Sequence, residues 1–171
     1  EAEKEGTDVA APKGTLDQLL MAMEIIDCDF IENNLGPKLK ADTSNIQLAQ
    51  QIFQYAIQYK CTTSPVFLTA LEVIDNSDPT FSTSKVIAQR YMQSGDFAKA
   101  EEMFNKALSL ATSDAEKSEV QLDIARLHSG QGRKSQARAA ALKAAELDNS
   151  KASDAWAMVG NLYMSSTNEC K

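Results

Sequence analysis

A pattern of small and large residues recurs in the second half of this chain, and it constrains the fold more than any other feature. Ala88 and Ala125 lie 37 residues apart, and each belongs to a copy in which two apolar-periodic runs flank a glycine. Recurrence at this spacing is typical of stacked helix pairs. The matching positions are Ile87, Ala88, Tyr91, Gly95, Phe97, Ala100, Phe104, Ala107 and Leu110 in the first copy, and Ile124, Ala125, His128, Gly132, Lys134, Ala137, Ala141, Ala144 and Leu147 in the second.

The turn inside the first copy has a simple physical basis. Ser94, Gly95 and Asp96 separate two runs with helical periodicity. Glycine adopts the left-handed backbone that ends a helix, and an aspartate side chain can accept from the first free N–H groups of the next one. We therefore predict that Gly95 ends one helix and Asp96 caps another.

A third, incomplete copy follows. Gly160 lies 35 residues beyond Ala125, preceded by Trp156 and Val159 and followed by Tyr163. These residues resemble the W-x2-L-G-x2-Y signature of the tetratricopeptide repeat. The resemblance implies an all-α, right-handed α-solenoid of antiparallel helix pairs, preceded by irregular N-terminal helices. The implied divisions are repeats at 81–117 and 118–152, a half repeat and tail at 153–171, and a degenerate helix pair at 44–80.

The remaining sequence is also helical in pattern, and we expect one domain over 15–171 after a flexible arm at 1–14. N-terminal helices are predicted within 15–42, with Asp29 as a cap and Gly36-Pro37 as a stop. Ser64 is predicted to cap the helix that begins at Pro65, and 75–80 is predicted to be a solvated loop. Further helices are predicted at 83–94, 96–112, 114–129, 134–147 and 151–165. The residues expected to face inward in 43–61 are Ile46, Ala49, Ile52, Phe53, Ala56 and Ile57.

Composition excludes several classes of function. The net charge of −7 disfavours a nucleic-acid binder, and no apolar run has the length of a membrane span. His128 is the only histidine, and no CxxC pair is present, so neither a metal site nor a cofactor site is expected. His128 stands where the repeat has tyrosine, which favours a packing role over catalysis.

The cysteines leave two interpretations open. Cys28 and Cys61 could form a disulfide, but two reduced, half-buried thiols are favoured, and Cys170 has no evident partner. Glu1 indicates a processed or trimmed chain. The polar N-terminal arm and the C-terminal sequence WAMVGNLYMSSTNECK resemble those of secreted helical-repeat proteins of the bacterial cell envelope. We therefore expect a periplasmic or cell-envelope location after removal of a signal peptide, with the cytoplasm as the alternative.

The repeat family binds its partners in a groove lined by the first helix of each pair. Carried over by position, the groove residues are Lys85, Gln89, Asp123, Arg126 and Asn161. A clamp for an acidic chain terminus is not expected, because Asp123 stands where an amide is usual, and Glu119 and Asp154 add carboxylates. A merely solvated face is the other interpretation of these positions.

The function expected is a non-catalytic scaffold that binds a peptide or protein partner. The alternative is an α-helical enzyme or ligand-binding domain among the N-terminal helices, where the carboxylates are Asp17, Glu24, Asp27, Asp29 and Glu32. A third interpretation is a fragment of a longer solenoid. Because only eight residues follow Tyr163, we also expect self-association through Trp156, Val159 and Tyr163 if no further helix covers them.

Overall fold

The computed structural model describes residues 26–167, and side chains up to 164. The described chain is all-helical, without a strand, and the predicted succession of helix pairs is confirmed. The predicted arm at 1–14 and the part of the predicted N-terminal helices before residue 26 lie outside the described residues. The helices are α1 (Cys28–Phe30), α2 (Gly36–Ala41), α3 (Ile46–Gln58), α4 (Pro65–Ser77), α5 (Phe81–Ser94), α6 (Phe97–Leu110), α7 (Asp114–Gly130), α8 (Lys134–Leu147) and α9 (Ala152–Thr167).

Contacts within the chain cluster into two compact units, one up to Ile74 and one from Asp75. The prediction of one domain over 15–171 stays a prediction, and each unit is described by itself.

The first helical segment of the first unit differs from the prediction. Asp27, not Asp29, caps α1, and its side chain accepts from the Phe30 N–H at 2.7 Å. Gly36-Pro37 does not stop the helix, because a π-helical turn at Ile31–Leu35 leads directly into α2. Pro37 is the second residue of α2 and follows directly after this π-helical turn.

Gly36 is required by packing rather than by a left-handed turn. Its backbone is right-handed helical, and a Cβ built on it would lie 2.7 Å from Cγ2 of Val66. The prediction identified a glycine with a structural role but assigned the wrong one.

Helix α3 begins after Asn45, whose side chain accepts from the Leu48 N–H at 2.9 Å. Its inward face is narrower than predicted. The alanines and Ile52 are buried and Phe53 stacks on Phe67, but Ile46 and Ile57 are exposed. Ile46 is the first helical residue, and Ile57 is rotated about 100° from its buried neighbour Ala56. The buried positions of the predicted set are Ala49, Ile52 and Ala56.

Cys28 and Cys61 form a disulfide with a Cα–Cα distance of 5.5 Å. The favoured interpretation of two reduced thiols is therefore wrong, and the alternative pairing is correct. The bond joins α1 to the turn after α3, positions that sequence spacing alone cannot bring together.

The prediction of a loop at 75–80 is wrong for its first three residues. Asp75, Asn76 and Ser77 form the last turn of α4, and the Asp75 side chain is only 2% exposed. It accepts hydrogen bonds from Thr83 Oγ1 at 2.6 Å and Ser84 Oγ at 2.8 Å, and Lys106 Nζ lies 2.6 Å away. A carboxylate with three such partners can be buried because its charge is balanced.

In the second unit, helices α5 to α9 follow the predicted ranges within about two residues. Gly95 has φ of 83° and ends α5, and the Asp96 side chain accepts from the Lys99 N–H at 3.3 Å. Gly132, its counterpart one copy later, has φ of 72°. Both predicted features of the turn are confirmed.

Small residues bring the helices of this unit close together. Phe104 is fully buried among alanines, as the repeated spacing predicts. Alanine at a crossing lets two helix backbones approach, and burial of one phenylalanine contributes about 1.5–3 kcal/mol. The fully buried alanines of this unit are Ala88, Ala100, Ala107, Ala125, Ala137, Ala141, Ala144 and Ala155.

The last helix presents two aromatic residues to solvent. Trp156 is 59% exposed and Tyr163 is 54% exposed, but Val159 is buried in the core. Val159 is rotated about 60° around the helix axis from Trp156, towards the side of α9 that packs in the core. It therefore does not belong to an exposed association surface.

Candidate partner-binding groove

The five predicted groove residues all lie on first helices of the pairs. Lys85 and Gln89 are on α5, Asp123 and Arg126 on α7, and Asn161 on α9. Four of the five form side-chain contacts within or between these helices, namely Lys85, Gln89, Asp123 and Arg126. Asn161 is exposed.

Lys85 is held by the neighbouring first helix. Its Nζ lies 2.7 Å from Oε1 of Glu119 on α7 and 5.3 Å from the centre of the Phe81 ring. The lysine side chain is mostly buried, whereas Glu119 is about half exposed. The positive charge of Lys85 is therefore balanced inside the chain.

A second contact between α5 and α7 runs through a buried carboxylate. Gln89 Nε2 donates to Oδ2 of Asp123 at 2.8 Å, and Arg126 Nη1 donates to Oδ1 at 2.6 Å. The Asp123 side chain is 6% exposed, whereas half of the Arg126 side chain is accessible. Asp123 thus positions Arg126 and is itself shielded from a ligand.

The accessible part of the groove lies between α7 and α9. Arg126 and Asn161 border the same depression, which has a volume of about 580 Å³. Both are exposed, so the structure brings these two predicted residues together in a space that a partner can enter. The remaining lining residues are Ser129, Asp154, Ala157, Met158 and Leu162.

The groove lacks the electrostatic character of a clamp for an anionic chain terminus. Lys85 faces Glu119, Arg126 faces Asp123, and Asp154 adds a further carboxylate at the rim. Because each cation already has a carboxylate partner, an incoming carboxylate would meet little net attraction.

Sequence reasoning placed these polar residues at the groove but missed that they pair with one another, although one signal indicates the pairing. Lys85 and Glu119 are 34 residues apart, as are Gln89 and Asp123, which is close to one repeat. Complementary polar residues at about the repeat spacing indicate contacts between successive first helices. Ser129, Ala157 and Met158, which also line the depression, carried no comparable signal.

His128 lies outside the groove. It is buried at the position predicted to pack, and its Nδ1 has no hydrogen-bond partner among the described residues. The packing location is confirmed.

The carboxylates considered for an N-terminal ligand site do not converge in the described structure. Asp27 is used as a helix cap, and Asp29 and Glu32 are exposed. Asp17 and Glu24 lie outside the described residues. Within 26–167, no group of three or more histidine, cysteine or acidic residues is placed to hold a metal ion. None of the described helices has the length and apolar character needed to cross a bilayer.

Comparison with known families supports the repeat assignment. Residues 79–150 match the family model of the tetratricopeptide repeat, and this range covers α5 to α8. Repeats of this family generally form protein-interaction scaffolds whose concave surface binds other proteins. Comparisons with curated proteins and with solved structures give no match.

Proposed function

We propose that the second unit is a non-catalytic scaffold that binds an extended segment of a partner protein in the groove between α7 and α9. The observation that supports this most directly is the open depression between α7 and α9. It is bordered by Arg126 and Asn161, two residues that the resemblance to the repeat assigns to the binding face.

The groove favours a segment of mixed polarity. Arg126 and Asp154 offer opposite charges, Asn161 offers an amide that both donates and accepts, and Met158 adds an adaptable apolar surface. Such a surface suits an internal segment with polar and apolar side chains better than an acidic terminus.

A site-specific cross-linking experiment tests this proposal. A photoreactive amino acid replaces Asn161 in the groove or, as the matched control, the exposed Lys143 on α8. After irradiation in the native cells, we expect a protein adduct from position 161 that is absent from position 143 and lost with Arg126→Glu. Equal adducts from both positions, or adducts unaffected by Arg126→Glu, would contradict a groove-specific interaction.

We also propose an oxidising compartment, such as the periplasm or cell envelope, as the location of the protein. The disulfide between Cys28 and Cys61 supports this, since such bonds persist mainly outside reducing compartments. Alkylation of free thiols in freshly lysed cells tests it. Cys28 and Cys61 should be unmodified, whereas their alkylation would place the protein in a reducing compartment such as the cytoplasm.

A further inference from the structure

Two polar contacts join α5 to α7 in the same register. Lys85 Nζ lies 2.7 Å from Oε1 of Glu119. Gln89 Nε2 donates to Oδ2 of Asp123 at 2.8 Å, and both pairs are separated by 34 residues. The first contact shows which chemistry fits a carboxylate at the position of Glu119 on a first helix, namely the ammonium group of a lysine.

The corresponding carboxylate on α9 has no cation. Asp154 lies 35 residues beyond Glu119, which is the spacing between the second and third copies of the repeat. Leu122, which is buried, occupies the position on α7 that Lys85 has one copy earlier. Asp154 is exposed and forms no hydrogen bond or ion pair with any described residue. The cation that it lacks would come from α7, a helix that the structure describes along its whole length.

Asp154 gives the depression between α7 and α9 a net negative charge. The other charged side chain in its described lining is Arg126, and the buried Asp123 carboxylate balances that charge at 2.6 Å. Arg126 uses one N–H group for this contact and retains others, and Asn161 has an exposed amide. The depression therefore offers one carboxylate without a counter-charge, together with donors suited to uncharged acceptors.

We propose that the segment bound in this depression carries a lysine or arginine side chain, which forms an ion pair with Asp154. This inference rests on the proposed function and names the partner chemistry of the same groove. The basic group takes the place at Asp154 that Lys85 Nζ takes at Glu119. Arg126 and Asn161 donate hydrogen bonds to backbone carbonyl groups of the same segment.

The helix geometry gives the spacing between these two contacts. Asp154 and Asn161 are seven residues apart on α9, which is about 10 Å along the helix axis. An extended segment that runs along α9 covers this distance in about three residues. We therefore expect the basic residue about three positions from the backbone groups that contact Asn161.

Selection from a random peptide library tests the proposal. The library is displayed on phage and selected in parallel against the 171-residue chain, Asp154→Asn and Asp154→Lys. Groove binders are the peptides that bind the chain but not Ala157→Trp, with circular dichroism unchanged. Ala157 is an exposed lining residue, so a tryptophan there fills the depression without altering its charge.

We expect lysine or arginine to be enriched at one position among the groove binders of the chain. This preference should disappear with Asp154→Asn and change to aspartate or glutamate with Asp154→Lys. The matched control is Glu102→Lys on the exposed surface of α6, which raises the net charge of the chain by the same amount as Asp154→Lys. The basic preference should persist in this control, because it depends on a local contact.

Affinities of one selected peptide then measure the contact. Replacement of its basic residue by alanine should weaken binding to the chain about two- to fivefold, which is the range of an exposed ion pair. The same replacement should leave binding to Asp154→Asn unchanged. The difference between the two peptides should shrink as the salt concentration rises.

The outcomes separate this inference from the proposed function. Groove binders without a basic preference, or with one that persists in Asp154→Asn, would overturn the inference and leave the proposed function intact. Loss of the preference with Glu102→Lys would assign it to the overall negative charge, and would also overturn the inference. If no peptide distinguishes the chain from Ala157→Trp, the proposed function fails and this inference fails with it.

Discussion

The buried pair of Asp75 and Lys106 gives the sharpest test of how the second unit is stabilised. The Asp75 carboxylate is 2% exposed and the Lys106 side chain 35% exposed. Lys106→Met therefore leaves the buried negative charge of Asp75 without its cation and removes an ammonium group that is partly hydrated. Breaking a fully buried pair costs about 3–5 kcal/mol. Partial exposure of the lysine reduces this, because water screens the interaction. We therefore expect Lys106→Met to lower the free energy of unfolding by about 2–3 kcal/mol.

Asp75→Asn should cost less, about 1–2 kcal/mol, because its amide oxygen can still accept from Thr83 or Ser84 and Lys106 can turn towards water. The double variant should cost clearly less than the sum of the two single changes. Urea unfolding followed by circular dichroism measures all three, with Lys117→Met as control. Lys117 lies 3.4 Å from Asp114 in an exposed pair and should change stability by less than about 0.5 kcal/mol.

The same pair predicts a pH dependence. Burial raises the pKa of Asp75, but the hydrogen bonds from Lys106, Thr83 and Ser84 outweigh it and lower the pKa below its ordinary value. The ionised Asp75 carboxylate therefore contributes to the free energy of unfolding above the unfolded pKa of about 3.9, and this contribution is lost as pH falls through the lower pKa of the folded state. The stability difference between the natural chain and Asp75→Asn should shrink in that acid range. Additive variants, or a difference independent of pH, would refute the proposed coupling.

Three further changes test other parts of the fold. Gly95→Val should lower the free energy of unfolding by about 1–2 kcal/mol and Gly95→Asn by less, because a side chain at φ of 83° strains the backbone. No neighbour lies within 4 Å of an added Cβ, so a clash does not contribute. Equal effects of the two variants in urea unfolding would contradict the assigned turn. His128→Phe should change the free energy of unfolding by less than about 1 kcal/mol and leave partner binding intact, since the substitution removes a buried, unpartnered nitrogen. Loss of binding with unchanged circular dichroism would give His128 a functional role. Reduction of the bond between Cys28 and Cys61, which closes a span of 33 residues, should destabilise the first unit by about 2–4 kcal/mol, and an unchanged exchange rate of the α3 amides would contradict this.

The parts of the fold that depend on local chemistry could be predicted from the sequence. Gly95 and Asp96 define a turn because backbone preference and capping act over a few residues. The range of α8 was predicted at both ends because its alanine-rich run has a clear helical period.

Features set by distant contacts could not be predicted in this way. Gly36 is a close-packing position because of Val66, and the Asp75 carboxylate is buried because Lys106 reaches it from another helix. Polar residues such as Asp75 favour a loop assignment when those partners are unknown. The groove was partly predictable, since Lys85 and Gln89 pair with residues about one repeat away.

Mapping a bound peptide by nuclear magnetic resonance tests the central claim, that the first-helix groove binds a protein segment. A peptide selected from a random library against the 171-residue chain would be titrated into the labelled protein. We predict amide shift changes on α7 and α9 around Arg126 and Asn161, lost with Arg126→Glu. Failure to select any binder, or shift changes confined to residues away from Arg126 and Asn161, would contradict it.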